Sequence, residues 1–324
     1  MNKNTLLVGD IGGTNARFAL SDPDAPGYHD ECVLQCGDYN SPEQAIAHYL
    51  KSVDVTSPSV ICLAMAGPIR DGNAELTNNN WHVRATDLSK YFSVSQVRLL
   101  NDFEAIAYSL TELDRSQIAN LGLAPVCDLA IPEFTVGVLG PGTGLGAAAL
   151  LRREGNLFPL ITEAGHVGFA PETALQREVL TVLKRFKYGR LSDERLLSGY
   201  GLENIYGALA EIYNKRTLQL SAADIFNNAD SDSLALQAVN LFFEILGQVA
   251  GNFVLATGAF DGIYIAGGIV QRYPERLKNS AFRSGFENKG RHRGIMERVP
   301  TLLIKHKDPG LLGAAVVARS LVNC

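Results

Sequence analysis

Apolar residues along this chain fall into two kinds of run. Some are short, of strand length, and closed by glycine or proline; others are longer, with apolar positions every three or four residues. Leu6-Leu7-Val8 is of the first kind. It enters the turn Gly9-Asp10-Ile11-Gly12-Gly13-Thr14, and residues 16–20 read as the returning strand. Residues 32–35, 59–65 (closed by Gly67-Pro68) and 96–100 predict three more strands. Ser41-Pro42-Glu43-Gln44 offers a serine cap, a first-turn proline and a glutamine three residues after the cap, predicting a helix to about Val53. Residues 102–110 also read as helical.

The opening pattern then recurs. Residues 134–139 form an apolar strand that enters Gly140-Pro141-Gly142-Thr143-Gly144-Leu145-Gly146 and leaves through 147–151. Both places are strand, Gly-Thr turn, strand, which suggests an internal repeat of two related half-structures offering hairpins to one ligand. Beyond residue 171 helices dominate, at about 172–186, 193–197, 202–213, 222–227 and 233–256. A strand at 263–266 ends in Gly267-Gly268, and a strand at 301–305 and a helix at 310–321 follow. Strands mixed with helices indicate an α/β protein.

The apolar stretch 233–258 is long enough to raise a membrane span. Gln237, Asn240, Glu244, Gln248 and Asn252 recur every three or four residues and mark one polar helical face, which a span would not carry. A helix packed in the core is expected, with Gly247 and Gly251 allowing close approach. The 324 residues allow one large or two ordinary domains and a substantial core without staples. A net charge of −5 without any basic run argues against a nucleic-acid partner. Cys32, Cys36, Cys62, Cys127 and Cys324 form no C-x-x-C pair and read as scattered reduced thiols of a cytoplasmic protein rather than a zinc site or disulfide framework. The N-terminus reads as lacking a signal peptide, because Asp10 and the glycine pair after it cut the apolar run at 5–9.

Glycines at a strand-to-strand turn let successive backbone N–H groups bind phosphate oxygens, and a carboxylate there, Asp10, suits water on a Mg²⁺ bridging two phosphates. Neither G-x-x-x-x-G-K-[ST] nor a G-x-G-x-x-G leading into a helix is present at that turn. The second turn holds four glycines and a threonine in seven residues, and Gly267-Gly268 adds a third glycine pair after a strand. Each alone is equally a tight turn or a strand bend; together they favour nucleotide binding. Asn101-Asp102 at a strand end is either a helix cap or a general base beside a bound hydroxyl. Glu163-Ala164-Gly165-His166 offers a carboxylate and an imidazole three apart, or a surface loop. Glu194 is either a first-turn helix glutamate or a ligand. Carboxylates, an amide and an imidazole are the groups that fork the neighbouring hydroxyls of a polyol.

With these segments in view, the chain resembles the bacterial glucokinase family, on the two-domain actin-like (RNase H-like) ATPase fold shared with hexokinases. The matching segments are 9–17, 101–103, 140–146, 163–171, 194–202, 265–272 and 309–313. The resemblance implies a small α/β domain of residues 1–110 with 300–324, a large α/β domain of residues 111–299, and an active-site cleft between them. It implies sugar contacts from Asn101, Asp102, Glu163, His166 and Glu194, with Asp102 the catalytic base. It implies that Gly9, Asp10, Ile11, Gly12, Gly13, Thr14, Gly140, Gly142, Thr143, Gly144, Gly267 and Gly268 bind ATP, with Asp10 reaching Mg²⁺ through water.

The related repressor/open-reading-frame/kinase family carries a zinc-binding cysteine cluster after its E-x-G-H motif. Residues 168–174 here contain no cysteine, so the zinc-free branch is expected. The tail Val167-Gly168-Phe169 also departs from members with an acidic residue there. The expected activity is transfer of the γ-phosphoryl group of ATP to the 6-hydroxyl of D-glucose, feeding glycolysis. The alternatives are a kinase for another hexose or an amino or deoxy hexose, and a non-catalytic sugar- and nucleotide-binding regulator. A carboxylate at Asp102 and the absence of a helix-turn-helix before the first strand weigh against the regulator. Glucose and ATP are the expected partners, without nucleic acid or membrane, and a homodimer is expected from the resemblance and from the frequency of twofold dimers.

Overall fold

The computed structural model describes residues 5–67, 69–75, 81–216 and 218–322. Pro68, expected above to close a strand, and Cys324 lie outside the described residues. The chain divides into two compact units, Met1–Asp114 with His306–Cys324, and Arg115–Lys305.

The strands of the first unit are β1 (Leu6–Ile11), β2 (Asn15–Ser21), β3 (His29–Gln35), β4 (Val60–Met65), β5 (Ile69–Arg70), β6 (Asn73–Glu75), β7 (His82–Arg84) and β8 (Gln96–Asn101). Five of them form a sheet in the order β3-β2-β1-β4-β8. β1 pairs antiparallel with β2 and parallel with β4, which pairs parallel with β8. Helix α1 (Pro42–Ser52) starts as its sequence demands: Oγ of Ser41 accepts from the Gln44 N–H, with Pro42 in the first turn. Leu7, Ile11, Phe18 and Leu63 pack with Ile46 and Tyr49 of α1 on one face of the sheet. Leu6, Val8, Cys62 and Leu100 pack on the other, with Leu311, Ala314 and Ala315 of the C-terminal helix Pro309–Val322. Covering on both faces is why β1 and β4 are near-continuous apolar runs rather than alternating ones.

The second unit repeats this plan. Its strands are β9 (Ile118–Asn120), β10 (Phe134–Pro141), β11 (Leu145–Arg153), β12 (Asn156–Thr162), β13 (Gly262–Ile265) and β14 (Thr301–Ile304), in the order β12-β11-β10-β13-β14-β9. β12, β11 and β10 run antiparallel, then β10, β13 and β14 run parallel. That is the order and sense of β3-β2-β1-β4-β8, so the two glycine turns occupy the same place in two sheets. The strand at 301–304, assigned above to the small domain, pairs with β13 and β9 and belongs to the second unit. Residues 111–114 belong to the first.

The stretch at 233–258 is a helix, Ser233–Thr257, long and apolar enough to cross a membrane by length and composition alone. Three of its polar residues bond to other parts of the protein, and Asn240 and Asn252 are exposed. Gln248 Nε2 donates to the Ala170 carbonyl at 2.5 Å, Gln176 Nε2 to Glu244 at 3.0 Å, and Gln237 Nε2 to the Tyr213 hydroxyl at 2.8 Å. A Cβ on Gly247 would overlap the backbone of Phe282, so only glycine lets the helix Phe282–Glu287 approach. The helix expected at 193–197 is a single 3₁₀ turn, Asp193–Arg195, because Ser198 caps a new helix at Gly199 and takes the Gly201 N–H. Likewise the helix expected from 172 begins at Ala174, after the Thr173 cap.

Candidate active site

Ligands of open α/β sheets bind beyond the carboxyl ends of the parallel strands. In the first unit those ends carry Asp10 on β1 and Asn101 on β8, with Asp102 following at once. Gly12 N–H donates to the Asn15 carbonyl at 2.9 Å, closing the β1–β2 turn through Gly13 and Thr14. Within this segment Gly9 and Ile11 have packing reasons of their own. A Cβ at Gly9 would come within 2.7 Å of Leu63, and the Ile11 side chain is buried.

Asn101 is a cap. Its Oδ1 accepts from the N–H groups of Phe103 (3.0 Å) and Glu104 (3.3 Å), and Glu104 returns a carboxylate oxygen to the Asn101 N–H at 3.2 Å. Its Nδ2 donates to the Gly67 carbonyl at 3.2 Å. Asp102 is the first residue of the helix Asp102–Ser109, where the helix N-terminus favours negative charge. One of its oxygens also takes the Phe103 N–H at 2.9 Å.

Asp10 is half-buried, and its carboxyl is raised to about 6. Burial is the main cause; Arg17 opposes it, while the carboxylates of Asp102 and Asp308 add to it. The carboxylate lies against the first turn of the C-terminal helix: a Cβ on Gly310 would sit 3.1 Å from Asp10 Oδ2. Hard oxygen donors of this kind suit Mg²⁺. No group of three or more His, Cys, Asp or Glu side chains poised to hold a metal occurs among the described residues.

In the second unit the Gly140–Gly146 turn joins β10 to β11, with Gly142 N–H donating to the Gly144 carbonyl at 2.8 Å. The Gly142 carbonyl in turn accepts from Gly199 N–H at 3.0 Å, and no atom lies within 4 Å of where a Gly142 Cβ would stand. Gly267 has φ +101°, a conformation side chains rarely adopt, and a Cβ there would overlap the Pro141 carbonyl. The Gly267-Gly268 pair after β13 is thereby brought against the glycine turn after β10. Glu194 joins the same cluster, accepting the Leu145 N–H at 3.0 Å. Glu163 precedes the 3₁₀ turn Ala164–His166 and His166 ends it, both exposed, with His166 Nε2 3.9 Å from Glu163 Oε2. Gly165 abuts Leu145, which ties this turn to the glycine turn as well.

Each unit therefore gathers its own share of the expected residues. Asp10, Asn101, Asp102 and the 12–14 turn lie in the first; the second glycine turn, Gly267, Gly268, Glu163, His166 and Glu194 lie in the second. Sequence reasoning gave no role to Arg17 or Asp308. Arg17 Nε lies 2.9 Å from Asp308 Oδ1, and Asp308 is buried. The available signal was an aspartate directly before a Pro-Gly helix start.

The glucokinase family model matches residues 7–321. A glucokinase of Xylella fastidiosa is 39% identical over 321 residues, 97% of this chain and 95% of that protein. The crystal structure of a glucokinase from an Antarctic psychrotroph superposes with a TM-score of 0.90 at 34% identity, covering 98% of this chain and 99% of that one. A Balamuthia mandrillaris glucokinase crystallised with glucose gives 0.77 at 25% identity, covering 98% and 94%. With two sheets of matching plan and full-length matches to these proteins, the chain has the actin-like ATPase fold and belongs to the glucokinase family.

Proposed function

We propose that the ATP-dependent phosphorylation of glucose that marks this family runs here on Asp102 as general base. The observation that carries this reading is the placement of Asp10 and Asp102 at the carboxyl ends of β1 and β8, with Asp102 on a helix N-terminus. The 6-hydroxyl of glucose is a primary alcohol and a poor nucleophile until its proton is accepted. Asp102 takes that proton as the sugar oxygen bonds to the γ-phosphorus, the bond to the β,γ-bridging oxygen breaks, and ADP leaves. The proton then passes to solvent. Magnesium, when bound, neutralises charge on the phosphates. Asp10 would hold that ion through a water, and backbone N–H groups of the turns at 12–14 and 140–146 would hold phosphate oxygens.

Asn101, Glu163, His166 and Glu194 bind the sugar hydroxyls in this reading. Glucose is favoured over other hexoses because the Balamuthia relative crystallised with it. The need for ATP supports a cytoplasmic enzyme feeding glycolysis, and the cysteine-free segment 168–174 supports a site without zinc. A homodimer is the assembly we favour on frequency. The domain division we favour follows the two units, with the C-terminal helix in the smaller one. A coupled assay of ADP formation over glucose, mannose, fructose, glucosamine and 2-deoxyglucose tests the reading. Fastest turnover with glucose is expected, and no hexose-dependent ADP formation would overturn it.

A further inference from the structure

Arg17 stands directly opposite Asp10 in the β1–β2 ladder. Opposed residues of an antiparallel pair share a face, with Cβ atoms about 4.5–5.5 Å apart. Among the groups acting on the Asp10 carboxyl, Arg17 alone is a cation; Asp102 and Asp308 are carboxylates. A site that receives the phosphates of ATP would gain from a cation there.

Arg17 is held by a buried partner. Its Nε lies 2.9 Å from Oδ1 of Asp308, whose side chain is 5% exposed. The Arg17 Nε–H is buried and is not aligned for a hydrogen bond to that oxygen, so the contact is an ion pair. Arg17 itself is 31% exposed, and an ion pair with one partner in contact with solvent contributes little to stability. Stability alone therefore gives a weak account of these charges. The Arg17 side chain keeps this exposure, and a guanidinium fork matches phosphate oxygens.

The pair is tied to neighbouring elements. Asp308 directly precedes the C-terminal helix, whose first turn touches Asp10 through Gly310. Lys307 Nζ lies 3.3 Å from Asp308 Oδ2 and 3.2 Å from Glu31 on β3. The start of this helix thus meets Asp10 at one residue and grips its cross-strand neighbour at another.

We propose that Asp308 is a positioning residue for the phosphoryl donor: it fixes the Arg17 guanidinium beside Asp10, so that the phosphate side of the site presents a cation among its carboxylates. The inference rests on the reading above that Asp10 and the 12–14 turn face the phosphates.

Asp308→Asn keeps the size of the side chain and releases Arg17. Calorimetric titration with magnesium and a non-hydrolysable ATP analogue should show Kd raised about tenfold, with glucose affinity within about twofold of the parent. KM for ATP should rise in the same proportion while KM for glucose holds. Arg17→Met should behave likewise, and Arg17→Lys should recover part of the affinity. The double variant Arg17→Met/Asp308→Asn should be no worse than Arg17→Met, because Asp308 acts through Arg17. Unchanged nucleotide affinity in a folded Asp308→Asn protein overturns the proposal. So do additive losses in the double variant, or glucose binding lost in parallel. If Asp308→Asn does not fold, equal nucleotide affinity in Arg17→Met and Arg17→Lys overturns it in the same way. A parent protein that binds the analogue but forms no ADP with any hexose would sink the kinase reading and leave this inference standing.

Discussion

The backbone N–H of Leu145 donates to Oε2 of Glu194 at 3.0 Å, so a residue expected to bind sugar also holds the second glycine turn. Gly144 beside it has no room for a Cβ against the same carboxylate. Glu194→Ala removes the acceptor and frees the turn. Because the lost bond is to a charged group, nucleotide affinity should fall about tenfold along with sugar affinity. Calorimetry with each ligand separately decides it. A variant that loses sugar affinity alone would show that the Leu145 contact does not shape the nucleotide site.

The long helix Ser233–Thr257 supplies a test of packing. Gly247→Ala places a methyl group into the Phe282 backbone, which cannot yield as a flexible side chain would. Overpacking of this kind costs about 1–3 kcal/mol. Gly207, on the helix Gly199–Ile212, has nothing within 4 Å of its Cβ position and is exposed. Gly207→Ala should stabilise by about 0.5–1 kcal/mol through helix propensity. Denaturant titration of both variants should therefore move the midpoint in opposite directions.

Burial raises the Asp193 carboxyl to about 7. The folded protein then holds this proton more tightly than the unfolded chain, whose aspartate titrates near its ordinary value. The resulting contribution to stability is fully present below that ordinary value and is lost as pH rises through about 7. Asp193→Asn does not titrate, so its stability relative to the parent should improve from pH 5 to about pH 7 and level off above that. Thermal unfolding of the two proteins across that range checks the sign. A difference that is flat or runs the other way would mean the carboxylate is solvated or paired when charged.

The elements most legible in the sequence were those with a local cause. The hairpins β1–β2 and β10–β11 announce themselves through glycine turns between apolar runs, and their repetition shows as matching sheet order. Ser41 and Pro42 start their helix through contacts within one turn. β12 was missed because it is an edge strand: it carries Pro159, exposes Phe158, Leu160 and Ile161, and has no clean alternation. The β5-β6-β7 sheet was missed because its strands are two or three residues long. Among site residues, Asp102 stood out because it follows a strand end. The Glu194 bond to Leu145 joins positions 49 apart, and the Arg17–Asp308 pair joins opposite ends of the chain. Only the folded sheet brings those together.

Asp102 carries the last prediction. Its carboxylate sits at a helix N-terminus beside the carboxyl of Asp10, and one oxygen takes the Phe103 N–H. Asp102→Asn preserves the shape and an acceptor oxygen, so the helix start and sugar contact should survive. The amide has no affinity for the hydroxyl proton, and kcat should fall by roughly 10²–10⁴. His166→Ala, by contrast, removes a contact made equally in the ground and transition states, so it should raise KM for glucose and leave kcat nearly unchanged. Glu163→Gln should follow His166→Ala, with some loss of kcat from poorer positioning. Measuring kcat, KM and direct glucose affinity for all three separates proton acceptance from binding. If Asp102→Asn turns over at near the parental rate, the base is another carboxylate, and Glu163 is the next to test.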